Sequence, residues 1–351
     1  MKNLINTNDK PLVSIIILNF NGGRHVEECL ESIYKTKETN LEIILIDNNS
    51  SDNSQNICKE KFPDIILIQN NKNIGMAARN TGVEKAGGQY IVFLDFDTVV
   101  TSNWLSSLIK SFELHGDGLY QAKVLRKLEK NKIGSAGNMI NIFGLAYARG
   151  KGETDNGQYN QFMTVNYPPG CCVFTSKEII KKIGKVEEMF FAYHDDVDYG
   201  WRATLLGIPS YYEPNSTIYH LSSPTLQWSK KKFFLLERNR WICILSLYSK
   251  KTLFKIFPLL IITEIGIFFY FIRKGMGITK IHTFFSILKL LPKINKRSEE
   301  INKKRTVSDH IIIQNFVDNV VFPTYTIDKQ SSNIENKALM KLSKLTRKII
   351  G

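Results

Sequence analysis

Four short apolar runs constrain this chain more than anything else in it. Residues 12–18, 41–46, 65–69 and 90–94 are dominated by Ile, Leu and Val, and each stops at Asn or Asp: Asn19, Asp47, Asn70 and Asp95. Nearly continuous apolar runs of this length read as strands buried on both faces, as in a parallel sheet. Between them, residues 27–34, the stretch leading to Lys61 and residues 76–85 read as helices. Strand and helix therefore alternate four times in about 110 residues, which implies a doubly wound, mostly parallel α/β sheet with right-handed crossovers. Ligands of such sheets lie beyond the carboxyl ends of the strands. The loops bearing Asn19, Asp47 and Asp97 should thus converge on one crevice. A Gly-x-Gly-x-x-Gly fingerprint does not follow the first strand, and no Gly-x-x-x-x-Gly-Lys-Ser/Thr loop occurs, so neither the dinucleotide nor the P-loop reading has local support.

The fourth run ends in Asp95-Phe96-Asp97. In an extended strand alternate residues share a face, so the two carboxylates would fall on one side and repel. A cation answers that repulsion, and oxygen ligation points to magnesium or manganese with coordination positions left for phosphate oxygens. The rival reading is a plain turn whose Asp residues cap the helix beginning near Trp104. Further on, residues 119–166 lose periodicity among repeated glycines and read as the acceptor side. Order returns with a strand over 168–174, a helix over 177–183 and a second acidic run, His194-Asp195-Asp196-Val197-Asp198.

Composition narrows the partners. With 351 residues, 43% of them hydrophobic, the chain can bury one large core of about 230 residues and carry an appendage. A net charge of +14 calls for a polyanion, and the basic clusters fall late and flank apolar segments, which favours a membrane surface over nucleic acid. Five cysteines without metal-type spacing read as reduced thiols of a cytoplasmic protein. Residues 1–10 are polar with no apolar leader core, so a cytosolic or cytosol-facing location is expected.

The motifs, taken in order, resemble those of inverting family 2 glycosyltransferases of the GT-A fold, in the rhamnosyltransferase-like branch. The resemblance runs from about residue 12 to 240. It is carried by Val13 to Asn21, Ile46-Asp47-Asn48-Asn49-Ser50-Ser51-Asp52, Asn73-Ile74-Gly75 with Arg79-Asn80, and Leu94-Asp95-Phe96-Asp97. It continues through Phe190 to Trp201-Arg202, Tyr219-His220 and Leu236-Glu237-Arg238-Asn239-Arg240. One departure is Asp195, where the family often has Glu before the second-motif Asp. The resemblance implies a nucleotide-sugar donor, a divalent ion, manganese or magnesium, and transfer of a hexose or rhamnose. Asp97 would ligate the ion and Asp95 would contact ribose or ion. Asp47 would accept from the base ring, with Asn19 in the same pocket, and Asn21, Asn49, Asp52, Asn73 and Gly75 belong to the same donor loops. Arg79 would meet the diphosphate. An attacking hydroxyl needs a carboxylate to take its proton; Asp196 fits that role, with Asp195 beside it.

Several assignments keep plain rivals. Asp198 and Arg202 stand at helical spacing and read first as an intrahelical ion pair. His220 is either a third metal ligand or a structural histidine, and Trp104 and Trp201 read as core. His194 reads as a loop residue rather than an acid. After residue 240 the composition changes, giving a division into a catalytic domain over 1–240, a hydrophobic and basic helical membrane-associating region over 241–328 and a flexible tail over 329–351. The apolar run 253–272 is interrupted by Lys255, Pro258 and Glu264, so a transmembrane helix, an interfacial helix pair and a buried helical cap or dimer face all remain open. A glycan or polyprenyl-diphosphate-linked saccharide would suit a membrane-held acceptor in cell-surface polysaccharide synthesis. Competing functions are a nucleotidyltransferase, which would usually place a basic Gly-rich loop after the first strand, and a non-catalytic glycan-binding module.

Overall fold

The computed structural model describes residues 11–36, 40–221, 229–320 and 329–350, and the leader reading of residues 1–10 lies outside them. β1 (Val13–Asn19) is buried along its whole length because it is central: β2 (Leu41–Asp47) pairs with it on one side and β4 (Tyr90–Asp95) on the other, both parallel. β3 (Ile66–Gln69) extends the sheet beyond β2. The crossovers are α1 (Arg24–Tyr34), α2 (Ser54–Lys61) and α3 (Arg79–Lys85), the last preceded by a 3-10 turn over Gly75–Ala78.

The fourth strand departs from the expectation of one extended run through Asp97. It stops at Asp95; the chain turns at Phe96-Asp97, and β5 (Thr98–Val100) leads into α4 (Trp104–His115). Asn103 occupies the N-cap position of α4, so the two Asp residues are not capping groups for that helix.

The sheet then becomes mixed. β6 (Leu119–Arg126) and the short strands β7 (Ile133–Ser135), β8 (Asn138–Ile140), β9 (Ala146–Ala148) and β10 (Met163–Val165) build the middle segment. β11 (Cys172–Ser176) inserts antiparallel to β4, followed by α5 (Lys177–Ile183), α6 (Asp195–Leu205) and β12 (Ser210–His220). The resulting order is β10-β12-β6-β11-β4-β1-β2-β3, with β5 on β12, β7 on β6 and β8-β9 as a separate pair.

Five helices complete the described chain: α7 (Lys230–Leu247), α8 (Lys250–Arg273), α9 (Gly277–Lys304), α10 (Asp309–Asn315) and α11 (Lys329–Ile350). The proposed boundary at 240 falls inside α7, and Val197, Trp201 and Leu205 of α6 share one core with Ile244, Ile256, Ile294 and Ile312 of the later helices. Cutting at 240 would expose apolar surface on both pieces. The region expected as a flexible tail is helical: Leu339 of α11 joins that same core, and Arg347 donates to the Phe316 carbonyl. All five cysteines are free and buried.

Candidate active site

The strand ends and the start of α6 enclose a crevice of about 440 Å³. Asp95 closes β4 and His220 closes β12, while the Phe96-Asp97 turn folds the second carboxylate back between them. His220 Nε2 lies 3.1 Å from Asp97 Oδ1 and 3.7 Å from Asp95 Oδ2. The ligand atoms of the three residues all fall within 4.8 Å of one another. Two hard carboxylates from one turn and an imidazole from a distant strand form a donor set suited to manganese or magnesium, so the residues fit a divalent ion. Burial opposes the imidazolium form of His220, but Cys171 and the Asp97 carboxylate beside it outweigh that and raise its pKa well above the ordinary value.

Arg79 holds the first of these carboxylates. It is only 3% exposed and lies beneath Asp95, donating from Nη2 to Asp95 Oδ1 at 2.6 Å and to the Gly170 carbonyl at 2.8 Å. A buried guanidinium needs a counter-charge, and Asp95 supplies it, so Arg79 orients that carboxylate. Burial still raises the pKa of Asp95, with Arg79 pulling the other way.

The second acidic group lines the same crevice beside Gly170. Asp195 and Asp196 open α6, and both line the crevice. Asp196 accepts from the Gly170 amide at 3.2 Å and from the Val197 amide at 2.9 Å. Asp195 is pushed up to about 7, first by burial and then by the Asp196 charge; burial raises Asp196 as well, against the pull of its backbone donors. A carboxyl group near 7 beside an ionised neighbour is suited to exchange protons at neutral pH.

The loop that delivers this pair is strained. Phe191, Tyr193 and His194 have φ of 61°, 67° and 59°. Such angles are unusual for bulky residues and persist only when surroundings impose them. Here two elements do so. Gly75, at φ 67°, meets the loop so closely that a Cβ would lie 2.0 Å from the Phe191 carbonyl oxygen, and Met76 N donates to that oxygen. From α7, Asn239 Nδ2 donates to the carbonyls of Phe190, Ala192 and Tyr193 at 3.0, 2.8 and 2.7 Å, and Arg238 reaches Met189 and Phe190. His194 is buried at the N-cap position of α6, and burial lowers its pKa to about 4, leaving it neutral.

Not every expected residue reaches this crevice. Asn73 and Gly75 line it, but Asn19, Asn21, Asp47, Asn49 and Asp52 do not. Asn19 and Asp47, partners in the β1–β2 register, are buried: Asn19 Nδ2 donates to Asp47 Oδ1 at 3.0 Å and the Ser50 amide donates to Oδ2. Asn21 accepts from Ser51 N, Asp52 accepts from Gly23 N, and Asn49 is exposed with φ 67°. These residues knit the first two loops together at the edge of the crevice. Asn48, not singled out from the sequence, does line it and fixes the third loop through Asn73 Oδ1 and the Gly75 carbonyl. Ser135, Asn138, Lys151 and Tyr167 of the middle segment line the far side.

Asp198 and Arg202 form the intrahelical pair anticipated from their spacing, at 2.9 Å. Trp104 and Trp201 are fully buried.

Residues 14–184 match the family described as glycosyl transferase family 2. The glycosyltransferase GlyG of Streptococcus pneumoniae is 35% identical over 106 residues, 29% of this chain and 35% of that protein. The minor teichoic acid biosynthesis protein GgaB of Bacillus subtilis is 34% identical over 108 residues, 29% of this chain and 12% of that one. The match therefore spans about a third or less of these relatives' own lengths. A crystal structure of GalNAc-T7 with UDP, GalNAc and Mn2+ superposes with a TM-score of 0.58 at 14% identity, covering 72% of this chain and 51% of that one, a likeness of fold.

Proposed function

With residues 14–184 forming a glycosyl transferase family 2 domain, we propose that this protein is a metal-dependent inverting glycosyltransferase. It moves a hexosyl or rhamnosyl group from a nucleotide-sugar to a glycan, and a polyprenyl-diphosphate-linked saccharide at the cytoplasmic face of the cell membrane suits it as acceptor. Cell-surface polysaccharide synthesis is the corresponding process, in keeping with the name of GgaB. The observation that carries the reading is the gathering of two unlike acidic groups in one crevice: Asp95 and Asp97 with His220, and Asp195 with Asp196.

Asp97, Asp95 and His220 would hold a manganese or magnesium ion, which when bound offsets the negative charge gathering on the diphosphate as the sugar leaves. Arg79 keeps one Asp95 oxygen engaged and so leaves the other turned toward His220. Asp196, aimed by the Gly170 and Val197 amides, takes the proton of the attacking acceptor hydroxyl, and Asp195 tunes its charge. Asn19, Asn21, Asp47, Asn49 and Asp52 form the frame of the base and ribose end, and Asn73 and Gly75 shape the loop that packs on Phe191.

The test is donor turnover by the purified protein across UDP-, GDP- and dTDP-sugars with manganese, alongside Asp97→Ala and Asp196→Asn. One donor should be consumed only with metal; Asp97→Ala should lose donor binding, whereas Asp196→Asn should bind donor and fail to transfer it. Absence of donor binding under any divalent ion would overturn the reading.

A further inference from the structure

Helix α8 presents an outer face with no polar side chain on it. Between Lys255 and Arg273 its exposed side chains are Phe257, Pro258, Ile261, Ile262, Ile265, Phe269 and Ile272, and Phe254, 85% exposed, extends the stripe. The first turns of α9 continue it with Ile278, Ile281, Phe284, Phe285 and Leu288. Exposed His282 is the polar residue within the α9 part; so many large apolar side chains exposed on two successive helices mark an interaction site.

Its length alone leaves two orientations. At 24 residues, α8 is about 36 Å long, enough to cross a bilayer. The opposite face of the helix decides against crossing. Thr252, Ile256, Leu260 and Thr263 are buried against the protein, and Glu264, midway along, is held by Arg240 and Trp241 of α7 and by Lys280 of α9. Glu237 completes that cluster through Arg240. A crossing α8 would either pull these four charges apart or carry α7 and α9 into hydrocarbon with them, and both leave charged groups where water cannot reach.

The rim identifies the occupant. Lys250, Lys251 and Lys255 stand at one end of α8, Arg273 and Lys274 at the α8–α9 turn, and Lys289, Lys293 and Lys296 where α9 becomes polar. A second copy of this chain seated on the same face would set rims of like sign against each other. Anionic lipid headgroups answer them, while the acyl boundary takes the apolar stripe.

We propose that α8 and the first half of α9 form a monotopic seat lying in the plane of an anionic bilayer, with the apolar face in the headgroup–acyl boundary and the basic rim on lipid phosphates. The seat deepens the reading of a lipid-linked acceptor and rests on that reading for its purpose. Its test reads lipid binding, not transfer, so the two can fail separately.

The experiment is flotation of the full chain with phosphatidylcholine vesicles, with and without phosphatidylglycerol. Wild type should float with the anionic vesicles, and high salt should weaken that binding by screening the basic rim. The double variant Phe257→Ser/Phe284→Ser should lose roughly tenfold or more in vesicle affinity, with an unchanged thermal melt and unchanged donor binding. Lys289→Glu/Lys293→Glu, which leaves the apolar stripe intact, should weaken binding to the anionic vesicles alone. The proposal is overturned if either double variant floats like wild type, or if wild type ignores anionic vesicles. It also fails if extraction requires detergent and resists salt and alkali, the mark of a spanning helix. Dissociation of a wild-type dimer by Phe257→Ser/Phe284→Ser without lipid would assign the face to a second copy instead.

Discussion

Asp195, Asp196 and Asp198 stand within one turn of the same helix, yet their surroundings treat them oppositely. Asp198 meets two guanidinium groups, Arg202 from its own helix at 2.9 Å and Arg297 from α9 at 2.5 Å. Although burial opposes its ionisation, those two charges hold its pKa below the ordinary value. Asp195 and Asp196 form no ion pair among the described residues; backbone amides and the more distant Arg79 charge oppose burial, which still drives both upward. The same division appears elsewhere in the chain. Glu237 and Glu264 are answered by Arg240 and Lys280, two anions by two cations, whereas among the described residues the four crevice carboxylates outnumber their cations, Arg79, His220 and Lys151. Charges that hold the fold together are balanced within the protein. Those in the crevice are left in excess, which is the condition for binding a cation and moving a proton.

Breaking a balanced group should cost the most. Arg240→Met leaves buried Glu237 and half-buried Glu264 to share Lys280 alone and should lower stability by about 3 kcal/mol, seen as a large drop in thermal midpoint with donor affinity unchanged in the protein that remains folded. Asp196→Asn, on the unbalanced side, should do the reverse: transfer falls by about 10²–10⁴-fold, while the melt stays at or above wild type. An Asp196→Asn protein that unfolds like Arg240→Met would erase the distinction.

The unbalanced pair also predicts a pH limb. Asp195 titrates at about 7 in the folded protein against 3.8 for an unperturbed group. With the pair increasingly protonated below that value, transfer should decline as pH falls through about 7, and Asp195→Asn should shift or remove the limb. The folded state keeps its proton between pH 4 and 7 while the unfolded chain loses it, so this group subtracts stability progressively as pH rises through that range. Asp195→Asn should therefore melt higher than wild type, by an increment that grows from pH 4 to 7 and then levels off. An increment independent of pH would mean that Asp195 is compensated after all.

The smallest expected effect concerns the strained loop that separates the balanced and unbalanced groups. Asn239→Ala removes three carbonyl contacts from residues 190–193. Turnover should fall about tenfold through misplacement of Asp196, with little change in donor affinity; equal loss of both would place the clamp on the donor side.

The strand ends were legible because their signal is local. Apolar runs stopping at Asn19, Asp47 and Asp95 follow from β-branched burial in a parallel sheet, and the i,i+4 pairing of Asp198 with Arg202 follows from helical spacing. The donor loops were legible as motifs, but which of their residues face the crevice was not, since Asn19 and Asp47 are buried by packing between two strands. Arg79 illustrates the limit: its charge suggested a phosphate contact, and only the fold places it under Asp95 and beside Gly170, 91 residues away. Glu264 shows the same from the other end of the chain. In the sequence it interrupts an apolar run and leaves a spanning and an interfacial helix equally open. The tertiary structure supplies Arg240 and Lys280, 24 and 16 residues away on separate helices. By itself, then, the sequence determined the sheet, the carboxylates at its ends and the apolar character of α8. Which charges are neutralised, which are left over and which way α8 faces were decided only by the tertiary structure, because a buried charge takes its partner from whatever element packs against it, and no local period encodes that choice.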